Sequence, residues 1–159
     1  MTTTGLGYDI HRFAEGRALV LGGVAIPHER GLAGHSDADV LSHAIADAIL
    51  GAIGERDIGH HFPNTDESLR GISSMEILKL ARNLLNTHGG KLRNIDATII
   101  AEAPKVGPYV DAMRKELGQV LGLAPARIGV KATTNEGLGS IGRGEGIAAM
   151  AVASVELPS

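Results

Sequence analysis

From Tyr8 to Phe13 apolar and polar side chains alternate, the period of a half-buried strand. Ala18 to Ile26 reads as a second strand beyond a Glu15-Gly16 turn, so the pair predicts a β-hairpin. Pro27 to Gly34 is a loop. Asp37 or Asp39 is placed to cap a helix in which Val40, Leu41, Ala44, Ala48 and Ile49 recur at helical spacing as far as Ile53. Gly54 to Asp66 reads as another loop, rich in Gly, Asp and His and broken by Pro63. Ser73 or Ser74 opens a second helix with the stripe Ile77, Leu78, Ala81, Leu84 and Leu85, and Gly89-Gly90 stops it.

Asn94 to Ala101 alternates as a strand. Pro108, at a first-turn position, starts a third helix through Val110, Met113, Leu117 and Leu121. Ile128 to Thr133 is a further strand, Thr134 to Gly146 is too glycine-rich for either regular element, and Ile147 to Glu156 closes the chain as an apolar strand. The order β-β-α-α-β-α-β-β predicts an α+β fold: a two-layer domain with a mixed or antiparallel sheet packed on about three helices. No repeat or linker divides it.

Composition narrows the chemistry. A chain of 159 residues is long enough to bury roughly 70% of its unfolded surface without staples. With two Phe, two Tyr and no Trp, the core must be built from Ile, Leu, Val, Ala and Met, while 22 glycines allow close backbone approach. There is no cysteine, so a metal would have to be held by His, Asp and Glu. A net charge of −3 with scattered basic residues excludes a nucleic-acid surface. No apolar run approaches the roughly 18 residues of a membrane span, and nothing reads as a signal peptide, so a cytoplasmic protein is expected.

Asp9-Ile10-His11 carries the sharpest signal. Side chains two apart on a strand share a face, so Asp9 and His11 present an oxygen and a nitrogen together, with Ile10 expected to face inward. His43, on the first helix, is a candidate third ligand. Two imidazoles, a carboxylate and an open fourth position make a catalytic zinc set. Taken singly, an Asp-x-His pair is an ordinary surface motif and a lone helical His a satisfied polar residue; only the combination points to metal. Asp37 and Asp39 have the plainer role of helix caps.

Three further stretches carry polar chemistry. Asp57, Gly59, Phe62, Asn64 and Thr65 lie in a loop able to grip hydroxyls or phosphate, though an ordinary solvated loop has the same composition. His60-His61 is not read as a metal site, because adjacent residues rarely point at one ion. Lys131 to Gly146, with Thr133, Thr134, Glu136 and Arg143 among glycines, suits an anion with a hard divalent cation, and it is not a Walker-A loop. Ala101 to Lys105 leaves a strand end and can read a base edge or simply connect two elements. Residue chemistry thus reaches a metal-dependent enzyme acting on a phosphorylated small molecule. It leaves open a zinc phosphohydrolase, in which water attacks, and a non-catalytic metal-binding module.

Gly7-Tyr8-Asp9-Ile10-His11, Gly34-His35-Ser36-Asp37-Ala38-Asp39-Val40-Leu41-Ser42-His43, Asp57-Ile58-Gly59, Phe62-Pro63-Asn64-Thr65-Asp66, Ala103-Pro104-Lys105, Lys131-Ala132-Thr133-Thr134-Asn135-Glu136 and Gly142-Arg143-Gly144-Glu145-Gly146 together resemble the 2-C-methyl-D-erythritol 2,4-cyclodiphosphate synthases of the non-mevalonate isoprenoid pathway. The resemblance runs in order from about Gly5 to Val155 and implies one synthase domain over residues 1–159, the stand-alone form. It implies a homotrimer with an active site at each subunit interface. The implied reaction is metal-dependent phosphoryl transfer within 4-diphosphocytidyl-2-C-methyl-D-erythritol 2-phosphate, closing the cyclic diphosphate and releasing CMP. By the same resemblance Asp9, His11 and His43 hold one Zn2+ per site, and Glu136 holds Mg2+ or Mn2+ bridging the diphosphate.

The resemblance further implies that His35 and Thr134 stabilise the transition state and that His35 and Ser36 position phosphate. Asp9, Ile10 and His11 line the substrate. Asp57, Ile58 and Gly59, with Phe62, Pro63, Asn64, Thr65 and Asp66, hold the methylerythritol part. Ala101, Glu102, Ala103, Pro104, Lys105, Val106 and Gly107 form the cytidine pocket with Thr133, Thr134 and Asn135, and Arg143 contacts phosphate. Three positions depart from the family pattern: Asn64 where Asp is common, Ser140 where an aromatic is often seen, and Met150 where some members are acidic.

Overall fold

Pairing, rather than alternation, sets the length of the first strand. In the computed structural model, which describes residues Met1–Ser159, β1 (Thr2–Ala14) begins at the β-branched Thr2-Thr3-Thr4 run, six residues before the expected Tyr8. It has an antiparallel partner for almost its whole length, from Thr2↔Glu156 to Arg12↔Gly146, in β7 (Gly146–Glu156). The expected hairpin with Ala18 to Ile26 does not form. That segment folds back on itself as β2 (Leu19–Leu21) and β3 (Val24–Ile26), because Gly22 and Gly23 both adopt positive φ and supply a tight turn. The edge partner of β1 is instead the two-residue β4 (Gly31–Leu32).

The first two long helices form where their spacing predicts: α1 (Val40–Ala52) and α3 (Ser74–Thr87). Between them the expected loop contains one helical turn, α2 (Ile58–His61), followed by a 3-10 turn at Glu67–Leu69. Next come β5 (Lys91–Ile100), a 3-10 turn at Gly107–Tyr109, α4 (Val110–Leu121) and β6 (Ile128–Thr133). The glycine-rich stretch after β6 also holds a helical turn, α5 (Gly139–Gly142), closed by Gly142 and Arg143 N–H bonds to Leu138 and Gly139 carbonyls. Sheet order is β4-β1-β7-β5-β6, antiparallel except for the parallel pair β5–β6, so the sheet is mixed.

Helix α1 is buried almost all round, against the sheet on one side and α3 on the other. It reaches the sheet so closely that a Cβ at Gly7 would lie 1.8 Å from the Ala44 carbonyl oxygen, and one at Gly5 would lie 1.9 Å from that of Ala48. The strand carries no side chain there because the helix occupies the space. The core consists of Ile, Leu, Val, Ala and Met, with Phe13, Phe62 and Tyr109 only partly buried at its margin. The other face of the sheet is bare: Leu6, Tyr8 and Ile10 of β1 and Met150 and Val152 of β7 are all exposed. Ile10 therefore faces away from α1, opposite to expectation, and Asp9 and His11 occupy the covered face.

Candidate active site

Two elements that touch without intervening side chains bring Asp9, His11 and His43 together. The N-terminus of α1 is held by Asp39, which is fully buried. Its two oxygens accept from the N–H groups of Gly22, Gly23 and Ser42 at 2.8–3.0 Å and from the Ser42 hydroxyl at 2.7 Å. Burial pushes the Asp39 carboxyl up, and these four donors oppose that rise. The cap fixes both the β2–β3 turn and the helix one turn before His43.

The triad's outer contacts determine what its inner atoms can do. His11 Nδ1–H donates to the Ala33 carbonyl at 2.8 Å, leaving Nε2 as a bare lone pair. His43 Nε2–H donates to the Ser74 hydroxyl at 2.8 Å, leaving Nδ1 bare. Ser74, completely buried, donates its own hydroxyl hydrogen bond to Asp37 Oδ1, and the second Asp37 oxygen accepts from the Ser74 N–H at 3.0 Å. The Ser36 hydroxyl lies 3.3 Å from the same His43 nitrogen and accepts from Ala38 N–H. With those tautomers assigned, His11 Nε2, His43 Nδ1 and Asp9 Oδ2 are three acceptors facing one another at 2.9, 3.0 and 3.3 Å.

Three lone pairs at such distances repel unless a cation lies between them. A tetrahedral zinc ion with ligands about 2.0–2.1 Å away spaces its donors by about 3.3 Å, so this donor set fits zinc in both chemistry and spacing. Without metal a proton takes that place. Burial alone would raise Asp9, but hydrogen bonds and charge from His11 and His43 bring it down to about 2. Burial would likewise lower His11, yet its bond to Asp9 and that carboxylate's charge raise it.

A metal must displace the His11 proton, and a raised imidazole pKa keeps that proton bound to higher pH. Below that pKa the apparent metal affinity is expected to fall by about tenfold per pH unit, while Asp9 stays ionised. Chelator-competition titrations from about pH 8 to about pH 5 measure this, and a flat profile would show that no proton is displaced.

The triad lines a cavity of about 430 Å³ together with His35, Ser36, Asp57, Ile58, Gly59, Phe62 and Asn64. Pro63 and Thr65 are exposed beside it. Asp66 caps the following turn through Ser68, and its carbonyl accepts from His35 Nε2–H at 2.8 Å. One lining residue escaped sequence reasoning. Asp47 stands one turn after His43 on the same face of α1, a spacing that could have flagged it, and its carboxyl is raised by burial and by nearby Asp57 and Asp9. Ser74 and Arg17 were missed too; Arg17 clamps the Gly34 and Ser36 carbonyls at 3.0 and 2.6 Å.

The other sequence-singled residues collect elsewhere. Because β5 and β6 run parallel, their C-terminal ends lie side by side, and Ala101 N–H donates to the Thr133 carbonyl at 3.0 Å. Glu102 accepts from Gly137 N–H at 2.9 Å, tying Ala101 to Gly107 to the Thr133 to Glu136 turn. In that turn Thr134 Oγ1 accepts from the N–H of Glu136, whose φ is +53°. The sheet register sets Asp9 opposite Ala149, Ile99 and then Ala132, so three strand spacings, about 14 Å, separate the two clusters. Lys131 is ion-paired with Asp96. Arg143 binds Glu145 and lines a second cavity of about 660 Å³ with Ile10, Arg12 and Arg30, which shares His11 with the triad cavity. No helix is long and apolar enough to cross a membrane.

This arrangement has close relatives. The chain is 57% identical over 156 residues to the 2-C-methyl-D-erythritol 2,4-cyclodiphosphate synthase of Akkermansia muciniphila, covering 98% of this chain and 92% of that protein. It is 52% identical over 155 residues to the synthase of Clostridioides difficile, covering 98% and 96%. Among solved structures, the bifunctional IspDF from Campylobacter jejuni matches with a TM-score of 0.95 at 43% identity, over 100% of this chain and 43% of that longer one. The CDP complex of IspF from Plasmodium falciparum matches with a TM-score of 0.86 at 34% identity, over 99% and 97%. With the YgbB family model also matching residues 2–156, the chain belongs to the YgbB family.

Proposed function

We propose that this protein is a 2-C-methyl-D-erythritol 2,4-cyclodiphosphate synthase, and that residues 1–159 act as its single domain. The observation that carries the proposal is the set of three converging acceptors, Asp9, His11 and His43, on the wall of a polar cavity, in a chain more than half identical to synthases of that name. The substrate is 4-diphosphocytidyl-2-C-methyl-D-erythritol 2-phosphate. An oxygen of its 2-phosphate bonds to the β-phosphorus, the bond from that phosphorus to the oxygen bridging the α-phosphate breaks, and CMP leaves. The nucleophile is already an anion, so the protein needs no strong base; positioning and charge neutralisation do the chemistry.

Asp9, His11 and His43 would hold a zinc ion, which would supply Lewis acidity toward the diphosphate. His35 and Ser36 flank that position and hold phosphate, and His35 with Thr134 stabilises the charge that develops in transit. Asp57 to Gly59 and Phe62 to Asp66 hold the methylerythritol hydroxyls. Ala101 to Gly107 with Thr133 to Asn135 receive the cytidine, and Arg143 contacts phosphate. Glu136 would hold a divalent ion, magnesium or manganese, which would neutralise charge on the diphosphate. A cytoplasmic enzyme is expected, because its nucleotide substrate does not cross membranes.

Two observations favour a homotrimer with sites between subunits. The triad cavity lies by β1 and α1 and the nucleotide cluster at the ends of β5 and β6, with β7 between β1 and β5, so one chain offers two half-sites that a neighbouring copy can complete. The exposed side chains Leu6, Tyr8, Ile10, Met150 and Val152 form one apolar stripe, with Leu6 paired to Val152 and Tyr8 to Met150, and such a sheet face calls for a cover.

The proposal is tested by turnover of the cytidyl substrate with and without a chelator. Release of CMP with the cyclic diphosphate supports it, and incorporation of labelled solvent oxygen would make the protein a hydrolase instead. Glu136→Gln is expected to raise the magnesium concentration needed for half-maximal rate while zinc content stays unchanged. An unchanged magnesium response removes Glu136 from that role.

A further inference from the structure

Helix α2 is capped from outside its own segment. Asp57 occupies the N-cap position, yet its carboxylate makes no capping bond, although an aspartate there normally accepts from the N–H two or three residues on, here Gly59 or His60. The acceptor for the Ile58 N–H is Asp47 Oδ1, reaching across from α1 at 2.8 Å. Asp57 Oδ2 lies over Gly59, where a Cβ would come within 2.9 Å of it, and it has no hydrogen-bond partner in the chain. Both carboxylates line the triad cavity, Asp47 one helical turn beyond His43.

We propose that Asp47 is a positioning residue for the polyol part of the substrate: by accepting from the Ile58 N–H it fixes the Asp57-Ile58-Gly59 segment so that the unpartnered Asp57 carboxylate is held at the cavity wall to accept a hydroxyl. The inference rests on the synthase reading above. Asp47 registers the Asp57-Ile58-Gly59 segment against the same helix that carries His43, so hydroxyl recognition and the metal ligand share one rigid support.

The test compares Asp47→Ala with Asp47→Asn, whose amide oxygen still accepts from the Ile58 N–H. Asp47→Ala is expected to raise KM and the calorimetric Kd of the intact cytidyl substrate by about tenfold or more, with kcat within about threefold of wild type. Zinc content and CDP affinity stay unchanged, because neither engages the polyol, and the Ile58 amide loses hydrogen-exchange protection. Asp47→Asn restores wild-type values to within about threefold. Equal substrate affinity in wild type and Asp47→Ala overturns the role of Asp47, as does an Asn variant as impaired as the Ala variant. A wild-type protein that binds the substrate without converting it overturns the synthase reading alone, and one that does not bind it overturns both.

Discussion

His43→Ala is expected to lower CMP release by a factor on the order of a thousand or more, because it removes one of the three donors that would hold the proposed ion. The residue sits on a helix whose packing rests on Ala44, Ala48 and their contacts with Gly7 and Gly5, so assembly should survive the change. Zinc analysis of the purified variant checks the first half of this expectation and sedimentation the second. Full activity in a rigorously zinc-free His43→Ala protein would overturn the metal assignment. The same variant tests whether the site is shared between subunits, as proposed. His43→Ala lacks the metal half and Thr134→Ala impairs the nucleotide half, so chains of the two kinds refolded together should recover activity that neither has alone. No recovery would place both halves of each site within one chain.

Ser74→Ala is expected to weaken zinc binding by about 10- to 100-fold, the usual cost of removing an outer hydrogen bond to a metal-bound imidazole. Ser74 is the link between the Asp37 carboxylate and His43 Nε2–H, and through it the ring presents Nδ1 to the metal. His11 presents the opposite nitrogen because its Nδ1–H is fixed by the Ala33 carbonyl. Competition with a chelator measures the affinity, and the ring nitrogen shifts in NMR report the tautomer. An unchanged affinity would leave the Ser36 hydroxyl, 3.3 Å away, as the group that orients the ring.

Periodicity made most of the regular elements legible, and Asp9-Ile10-His11 with His43 announced the metal chemistry. The limits are physical. Alternation says which side chains share a face but not which face is covered, so Ile10 was assigned to the wrong one; the covering helix α1 decides. The Glu15-Gly16 turn suggested a hairpin, but strand pairing is won by the longest compatible partner, and β7 offers eleven registered positions where Ala18 to Ile26 is cut at Gly22-Gly23. Capping was readable at Asp39, whose bond from the Ser42 N–H is local, and unreadable at Ile58, whose cap comes from eleven residues upstream. Glu136 and His43 could be named from sequence, but not their separation across the sheet, since that depends on the strand order.

The contact of Ala44 with Gly7 has one more consequence. Because backbone meets backbone there, strand and helix hold the Cα positions of the three donors, while the bonds to Ala33 and Ser74 hold the two rings. Taking up the ion should then require no repacking of the interior and bury almost no new apolar surface. Calorimetry of loading would show a heat-capacity change near zero, the mark of a socket built before its occupant arrives.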